Sequence, residues 1–405
     1  MTMKKIFLKA KPIIETLTEN GFEAYFVGGA VRDYLLQHPI HDVDIATSAT
    51  PEKVQSLFAN VVPVGIEHGT VIVVYEGESY EVTTFRRESE YRDFRRPNEV
   101  TFISSLYEDL KRRDFTMNAI AMTIRFELID PFNGQQDIRN ELIRTVGSPY
   151  ERFQEDPLRI LRAVRFVSQL NFSIEKTTLR AIDNMKAHLQ HLSIERIADE
   201  FEKMMVGKSS SKALKLVAEL SIYSFLPRLE GYTTELKTVA ALSIENFKKS
   251  IECWACLLYF IDEEPKQFLK TWKRSRQLIQ QVEVIVNALK QARYQDFSNP
   301  YFLYKLGEEL SLSYVTVYSV IHQQSVENNI QTVKNIYDQL PIKERKELAI
   351  NGNDLMEITD QKQGPWLKEI LNQIEKSVIE GKLRNDKKEL REWVKRWHNQ
   401  SEKNF

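Results

Sequence analysis

The first candidate for chemistry in this chain is a pair of carboxylates, Asp42 and Asp44, in the stretch PIHDVDIAT at residues 39–47. Side chains two positions apart on a β-strand point to the same face, about 7 Å from each other. We therefore expect both carboxylates on one face of a strand, with Val43 and Ile45 turned towards the core. Paired carboxylates hold the divalent ions of phosphoryl transfer, and hard oxygen ligands favour Mg²⁺. Such a pair also occurs by chance on surface strands, so the rest of the chain must decide.

A double-glycine turn precedes the carboxylates. The stretch FEAYFVGG at residues 22–29 predicts a strand that ends at Gly28 and Gly29, and a helix is expected to follow. Without Cβ atoms, the glycines let backbone N–H groups approach a triphosphate, and the positive end of the next helix favours an anion. Arg32 is near enough to reach the same phosphates. The turn is neither a G-x-G-x-x-G nor a Walker loop, and a simple strand–turn–helix corner is the alternative interpretation.

A third stretch, EDPLRILRAVRF at residues 155–166, predicts a helix with Asp156 as its cap and a proline at its first position. Asp156 offers hydrogen-bond acceptors and Arg159 a fork of donors. Together they could face the Watson–Crick edge of cytosine or adenine, which both carry an exocyclic amino group. Arg162 and Arg165 continue the series at every third residue, so one side of the helix is basic. A solvated basic surface is the alternative. The neighbouring apolar rows are expected to pack and contain Leu158, Leu161 and Val164.

Two further features are open to more than one interpretation. Glu81, in the predicted strand at residues 80–85, is either a third carboxylate near the metals or a solvent-facing strand residue. The arginine-rich segment at residues 85–97 is either a charged surface loop or a lid that rearranges as the selected base changes.

Composition limits the classes of protein that this chain can represent. At 405 residues it is long enough for two or more domains, and Lys+Arg 56 against Asp+Glu 57 gives a net charge of −1. A nucleic-acid partner must therefore be held by a local basic patch. The N-terminus lacks the apolar run of a signal peptide, and the apolar run at residues 253–261 is too short to span a bilayer. With only two cysteines, we expect a cytoplasmic protein with no membrane partner.

Those cysteines, Cys253 and Cys256, form a C-x-x-C inside the apolar run, with no second ligand pair. Buried helix packing is therefore the preferred interpretation. His41 and Asp42 form a bare His-Asp pair, but the other histidines do not supply the further ligands of a metal phosphohydrolase. We accordingly expect no hydrolysis of 2′,3′-cyclic phosphates.

The pattern of elements predicts an α+β fold. The first part of the chain, to about residue 145, predicts strands at residues 42–47, 69–77 and 80–85 and a helix over residues 110–122. From about residue 150 apolar residues recur at helical spacing and strand patterns almost vanish. We therefore expect an N-terminal mixed α/β head followed by an all-helical remainder.

The motifs occur in an order that resembles a known family. VGGAVRDYL at residues 27–35 followed by HDVDIAT at residues 41–47 resembles the nucleotidyltransferase head of the polymerase β superfamily. More narrowly, it resembles the class II tRNA nucleotidyltransferases (CCA-adding enzymes) and the related bacterial poly(A) polymerases. Residues 85–97 resemble the family's mobile loop, residues 155–166 its nucleotide-selecting helix and residues 192–205 the helix motif that follows. Its R-R-D motif is matched by Arg112, Arg113 and Asp114. These motifs cover about the first 205 residues.

The resemblance implies an enzyme that adds the 3′-terminal CCA to tRNA from CTP and ATP, with Mg²⁺ as cofactor, no nucleic-acid template and release of pyrophosphate. Catalysis and metal binding would fall to Asp42 and Asp44. Nucleotide binding would fall to Gly29, Arg32, Arg113, Asp156, Arg159, Arg162 and Arg165. Weaker candidates are Gly28, Glu81 and Asp114.

The same resemblance implies a catalytic head (residues 1–145), a helical neck for base selection (146–205), a helical body (206–310) and a helical tail (311–405). The tail is expected to bind tRNA beyond its 3′ end, in the acceptor and elbow region. The sequence leaves open a monomer or a homodimer. It also leaves open a poly(A) polymerase, a partial enzyme that adds only C-C or only A, and a catalytically silent nucleotide or RNA sensor.

Overall fold

The computed structural model of the protein describes residues 3–88, 100–291 and 297–402. The chain divides into two compact units, Met1–Thr233 and Thr234–Phe405. Along the described parts of the chain, no helix combines the length and the apolar character needed to cross a bilayer.

The first unit contains the strands. In chain order they are β1 (Ala24–Val27), β2 (Asp44–Thr47), β3 (Val61–Gly65), β4 (Thr70–Tyr75), β5 (Glu78–Thr84), β6 (Arg86–Glu88), β7 (Val100–Phe102), β8 (Ala121–Met122), β9 (Leu128–Ile129), β10 (Leu142–Ile143) and β11 (Ser173–Ile174). The helices of this unit are α1 (Met3–Glu19), α2 (Gly29–Leu35), α3 (Pro51–Leu57), α4 (Leu106–Lys111), α5 (Gly134–Arg139), α6 (Pro149–Glu155), α7 (Leu158–Leu170), α8 (Lys176–Met185), α9 (Ile194–Met205) and α10 (Ser210–Glu219). The predicted α+β class and the mixed head are confirmed.

A seven-stranded sheet in the order β3-β4-β5-β2-β1-β8-β9 forms the centre of the head. β2 pairs with β5 in parallel, whereas β1 with β2 and β4 with β5 are antiparallel. Side chains alternate between the two faces, and on β5 the alternate residues Tyr80, Val82 and Thr84 are buried. The opposite face of β5 carries Glu81 and Thr83, so the sheet has one apolar face and one polar face in this region.

Helix α1 packs on β1. Its buried side chains recur at helical spacing, and the Phe7 ring lies 4.9 Å from the Phe26 ring. On the other side of the sheet an apolar cluster joins Val27 and Ala46 to Leu110 of α4 and to Val146. This cluster covers part of the polar face and leaves the rest open as a cleft.

The prediction of one helix over residues 110–122 is wrong. Helix α4 ends at Lys111, a short 3₁₀ turn covers Thr116–Asn118, and β8 joins the sheet beside β1. The helix is interrupted because Asp114 is buried and its Oδ1 accepts hydrogen bonds from Phe115 N (2.8 Å) and Asn118 Nδ2 (3.2 Å). These local bonds and the strand pairing outweigh helix propensity in this segment.

Helix α7 begins one residue later than the sequence predicts. Asp156 Oδ1 accepts from Leu158 N at 3.1 Å, as expected of a capping side chain, and the helix runs to Leu170. The predicted packing rows are confirmed, since Leu158, Leu161 and Val164 are all buried.

The second unit is helical in the residues described. Its helices are α11 (Thr233–Ala240), α12 (Ser250–Ile261), α13 (Pro265–Thr271), α14 (Arg276–Gln291), α15 (Pro300–Leu306), α16 (Glu308–Ile321), α17 (Val326–Asp338), α18 (Gly352–Thr359), α19 (Pro365–Ile379) and α20 (Lys387–Glu402). Helix α12 is apolar on nearly all sides and is buried. Cys253 and Cys256 lie in it and are buried, which confirms the packing interpretation of the C-x-x-C. Trp393 and Trp397 of α20 are half-buried.

Candidate active site

A cleft of about 680 Å³ lies in the first unit. Its walls come from the turn after β1, from β2, β4 and β5, from the segment after α4, and from α7 and α9. The lining includes Gly28, Gly29, Arg32, Asp44, Glu81, Arg113, Asp114, Asp156, Arg159, Arg162 and Arg165. Residues up to 169 positions apart in the sequence, Val27 and Arg196, thus meet in one cavity, which carries several arginines and a carboxylate floor.

The floor is formed by Asp44 and Glu81, which are direct partners in the parallel register of β2 and β5. Side chains paired in this way project from the same face of the sheet. Burial raises the pKa of Asp44, and the negative charge of Glu81 raises it further. Arg113 partly opposes this and Asp42 adds to it, so that the pKa of Asp44 reaches about 6. Glu81 is exposed to solvent, and it also lies beside Asp44 at the cleft.

Asp42 differs from its expected position. The strand begins at Asp44, because Val27, the last paired residue of β1, lies opposite Asp44 and the chain turns away at Gly28. Asp42 is exposed and precedes the strand, although it is close enough to influence the pKa of Asp44. The strand predicted from residue 42 therefore starts two residues later, at Asp44, so that Asp42 lies outside it, whereas the burial of Val43 and Ile45 is confirmed.

The carboxylates can be tested for their fit to a metal ion. Within the three described ranges, no group of three or more His, Cys, Asp or Glu side chains is close enough to form a metal site. Asp44 and Glu81 still offer adjacent carboxylate oxygens, which are the hard ligands that Mg²⁺ prefers. A cation beside them would relieve the repulsion from Glu81 that adds to burial in raising the pKa of Asp44. The donor set therefore fits a divalent ion whose remaining ligands come from substrate and water.

The glycine turn lies directly against this floor. Gly28 has φ +73°, a region that residues with a Cβ rarely adopt, and a Cβ there would lie 3.0 Å from Asp44 Oδ2 and 3.6 Å from Arg113 Nη1. Arg32, on the helix that follows, donates from Nη1 to Asn118 Oδ1 at 2.8 Å and pairs with Asp33 at 2.9 Å. The turn thus brings backbone, carboxylate and guanidinium groups together.

Arg113 is held in place by Asp109, a buried residue of α4. Asp109 Oδ2 accepts from Arg113 Nη2 at 3.1 Å and Asp109 Oδ1 from Arg112 Nη2 at 2.7 Å. Burial alone would raise the pKa of Asp109, but the two guanidinium groups outweigh burial and hold it below its ordinary value. Since the carboxylate remains charged, it can fix two arginines at the cleft wall.

The basic side of α7 faces the cleft, but its arginines are paired with acids. Arg162 donates to Asp114 Oδ2 from Nε (2.8 Å) and Nη2 (2.5 Å). Burial raises the pKa of Asp114, yet the charge and hydrogen bonds of Arg162 lower it to about 2. Arg165 pairs with Glu200 of α9 at 2.8 Å. The solvated basic surface considered as an alternative is therefore not what the structure contains.

One aromatic ring lies among three of these cations. The guanidinium carbons of Arg165, Arg32 and Arg162 lie 4.6, 5.2 and 5.7 Å from the centre of the buried Phe166 ring. Cations near a ring face are attracted by its quadrupole, so Phe166 helps to hold like charges close together.

Asp156 and Arg159 both line the cleft. Asp156 Oδ2 accepts from Arg196 Nη2 of α9 at 2.8 Å. Arg159 is buried, and its Nη1 donates to Glu155 Oε2 at 2.6 Å and to the carbonyl oxygen of Arg152 at 3.1 Å. The two side chains are thus fixed by neighbouring residues around the capping turn.

Only part of the arginine-rich segment can be placed. Arg86 lines the cleft, and Arg87 lies 3.4 Å from Glu108. Residues 89–99, which include Arg92, Arg95 and Arg96, lie outside the described residues, and so does most of the proposed lid.

Three models of known protein families match this chain. Residues 24–144 match the family model described as "Poly A polymerase head domain", and residues 171–232 match the "Probable RNA and SrmB- binding site of polymerase A". Residues 245–394 match the model for tRNA nucleotidyltransferase domain 2. Together these models span the head and most of the helical part of the chain.

Relatives of known identity are more decisive. The chain is 46% identical to the CCA-adding enzyme of Bacillus cytotoxicus over 391 residues, which is 96% of this chain and 98% of that protein. The CCA-adding enzyme of Bacillus cereus matches with the same identity and the same shares. The chain belongs to the CCA-adding enzyme family. The crystal structure of the Bacillus stearothermophilus CCA-adding enzyme in complex with CTP matches 98% of this chain and 99% of that chain, with 41% identity and a TM-score of 0.89.

A more distant member of the CCA-adding enzymes shares the fold. The Thermotoga maritima CCA-adding enzyme complexed with tRNA is 24% identical and has a TM-score of 0.62 over 96% of this chain and 95% of that chain. Nucleotidyltransferases with this type of head generally use divalent metal ions.

Sequence reasoning missed several residues that build the site of this CCA-adding enzyme family member. They are Asp109, Asn118, Phe166, Arg196 and Glu200. A signal existed for Asp109, which lies three and four residues before Arg112 and Arg113 and so shares a helix face with them. Arg196 and Glu200 are four residues apart in the motif at residues 192–205, so they also share a face of their helix. The contacts of Asn118 and Phe166 with Arg32 gave no such signal, because Arg32 is distant from both in the sequence.

Proposed function

We propose that this protein adds C-C-A to the 3′ end of tRNA, using CTP and ATP and no nucleic-acid template. The observation that carries the proposal is the single cleft in which Asp44 and Glu81 lie beside the glycine turn, Arg113 and the Asp156–Arg159 turn. The matches to CCA-adding enzymes over nearly the whole chain support it.

The reaction is a nucleotidyl transfer. The 3′-hydroxyl of the RNA releases its proton to water as its oxygen attacks the α-phosphorus of the nucleotide. A new P–O bond forms, the bond to the bridging oxygen breaks, and pyrophosphate leaves. Gly28, Gly29 and Arg32 would bind the sugar and phosphates, since they combine backbone approach with a positive charge. Arg113 lies beside the same turn and would also bind the incoming nucleotide.

Mg²⁺ would be held by Asp44 and Asp42, with Glu81 as a third carboxylate. Such an ion, when bound, activates the attacking hydroxyl and stabilises charge on the leaving oxygens. The pair formed by Asp44 and Glu81 across β2 and β5 supports this assignment. Asp42 is exposed, but it is close enough to Asp44 to act with Asp44 and Glu81 as a metal ligand.

Base choice would fall to the turn at the start of α7. Asp156 would accept from the exocyclic amino group of cytosine or adenine, and Arg159 would donate to the ring nitrogen or carbonyl beside it. Arg162 and Arg165 would support these two residues. Their ion pairs with Asp114 and Glu200 favour this role, because they fix α7 against the R-R-D segment and α9.

The wider assignments follow from family membership. We propose that residues 1–145 act as the catalytic head, 146–205 as the neck, 206–310 as the body and 311–405 as the tRNA-binding tail, in the cytoplasm. Basic side chains of α20, such as Lys395 and Arg396, are suited to RNA phosphates.

The test is extension of labelled tRNA that lacks its 3′ CCA, resolved at single-nucleotide length. With Mg²⁺ we expect two C additions from CTP alone and a stop after C-C-A with CTP and ATP. Chelation of the metal, or Asp44→Ala, should abolish extension. Long A ladders with ATP alone would instead establish a poly(A) polymerase, and addition of only C-C or only A would establish a partial enzyme. No extension at all would favour an RNA or nucleotide sensor.

A further inference from the structure

The polar face of the sheet extends beyond the groups assigned to the incoming nucleotide and carries further polar side chains. From β1 across the sheet come the glycine turn, then Asp44 on β2, Glu81 and Thr83 on β5, and Thr70 on β4. The groups suited to the incoming nucleotide therefore lie on the β1 side of the carboxylates. The attacking RNA end must approach from the other side, where β5 and β4 line the cleft.

That other side carries a pair of hydroxyl groups. Thr70 and Thr83 are direct partners in the antiparallel register of β4 and β5, and their Oγ1 atoms lie 3.2 Å apart. Both line the cleft and both are half-buried. Thr83 shares its face of β5 with Glu81, two residues before it, so Thr83 lies roughly 8 Å from the Asp44 position, one strand across and two residues along. Thr70 lies one strand farther, roughly 12 Å away.

The pair has unused hydrogen-bonding capacity. Each threonine hydroxyl has one donor hydrogen and two acceptor lone pairs. One bond between the two hydroxyls still leaves one hydrogen and several lone pairs for a further partner, and both residues line the cleft. Arg86, which lines the same end, adds positive charge suited to a nearby RNA phosphate.

We propose that the Thr70–Thr83 hydroxyl pair binds the ribose 2′-hydroxyl of the terminal nucleotide of the RNA being extended. The 2′-hydroxyl both donates and accepts, and it is the group by which a protein distinguishes RNA from DNA. It lies on the carbon next to the attacking 3′-oxygen, so holding it positions that oxygen over the carboxylates. This inference rests on the proposed function and assigns its acceptor side.

A cross-strand threonine pair can also serve the sheet alone. A hydroxyl on the same strand but outside the cleft helps to distinguish RNA binding from support of the sheet. Ser79 is such a residue, because it is exposed on the same face of β5 and does not line the cleft. Ser79→Ala is thus a matched control for loss of a hydroxyl from β5.

The experiment is a cycle of two changes, one in the enzyme and one in the RNA. Single-turnover addition is measured for the parent and Thr83→Val, on tRNA ending in a ribose or in a 2′-deoxyribose at its terminal nucleotide. Valine keeps the size and β-branching of threonine, so the strand should be preserved. Each single change should slow addition by about tenfold, the range of one neutral hydrogen bond. The two changes together should cost little more than either one.

Further variants test whether a slower rate reflects loss of the hydroxyl or a general disturbance of the strand. Thr83→Ser should restore the rate and the sensitivity to the 2′-deoxy end, and Thr70→Val should behave as Thr83→Val does. CTP binding in the absence of tRNA should be the same in parent and variants, and Ser79→Ala should match the parent.

Different failures have different meanings. Independent effects that multiply to about a hundredfold, or a Thr83→Val protein as fast as the parent on the ribose end, would overturn the inference and leave the proposed function standing. A parent protein that extends neither RNA would refute the proposed function itself.

Discussion

Glu375 of α19 is a buried carboxylate in the second unit, and its replacement by glutamine should destabilise that unit. Its Oε1 accepts from Tyr304 Oη at 2.5 Å and Arg345 Nε at 2.9 Å, and its Oε2 from Lys305 Nζ at 2.5 Å and Arg345 Nη2 at 2.7 Å. Glutamine has nearly the same shape but no charge. Its amide nitrogen would also present donors to groups that are themselves donors.

The magnitude follows from the pKa of Glu375. Burial alone would raise it, but hydrogen bonds from Arg345, Lys305 and Tyr304 lower it from the ordinary 4.5 to about 2. Since a tenfold change in an equilibrium constant is worth about 1.4 kcal/mol, ionisation of Glu375 stabilises the folded unit by about 3 kcal/mol. We therefore expect Glu375→Gln to lose about 3 kcal/mol at neutral pH.

The sign of the pH dependence is determined by the same shift. A carboxylate whose pKa is lowered by folding stabilises the protein at pH values above its ordinary pKa, here 4.5, and loses that contribution as the pH falls towards 2. The deficit of Glu375→Gln should thus be full at pH 7 and should shrink below about pH 5.

Tryptophan fluorescence reports on this unit alone. All five tryptophans lie in it: Trp254, Trp272, Trp366, Trp393 and Trp397. Urea unfolding followed by their fluorescence gives the free energy of unfolding of parent and variant. Glu369→Gln is the matched control, because Glu369 is exposed on the same helix. It should change stability by less than about 0.5 kcal/mol.

Two results would refute this reasoning. If Glu375→Gln and Glu369→Gln are equally stable at pH 7, the charge of Glu375 does not stabilise the fold. If the deficit of Glu375→Gln remains constant from pH 7 down to about pH 3, it arises from packing and not from ionisation.

Three further predictions concern the cleft. Gly28→Ala should slow single-turnover addition by about 100-fold, because its Cβ would meet Asp44 Oδ2 at 3.0 Å. Gly77→Ala, with φ +80° and nothing within 4 Å of its Cβ, should remain near the parent, and equal losses would exclude the steric cause. Asp44→Asn should stabilise the metal-free protein above pH 6 by up to about 3 kcal/mol, since ionisation of a carboxylate with a raised pKa opposes folding. Calorimetry in chelator should show this gain vanish by about pH 4, and a gain independent of pH would contradict it. Arg159→Ala should raise addition of UTP and GTP relative to CTP and ATP by at least about tenfold, measured by sequencing the products. Unchanged selectivity would remove Arg159 from base choice.

Local sequence determined the elements that carry the site. The alternation of β-branched and polar residues predicted the strands that became β2, β4 and β5, and the apolar rows at helical spacing predicted α7. The motifs around Gly28, Asp44, Arg113 and Asp156 were sufficient to predict the family. These features can be read from the sequence because strand and helix periodicity depend on neighbours within a few residues.

The tertiary structure decided how those elements meet. The parallel pairing of β2 with β5 places Glu81 beside Asp44, and the end of the β1 ladder leaves Asp42 outside the strand. Burial of Asp114 ended the helix expected over residues 110–122 and gave Arg162 its partner. Each of these outcomes depends on a residue distant in sequence. Strand register, burial and ion pairing depend on interactions between residues that are distant in sequence, and local periodicity does not specify these interactions.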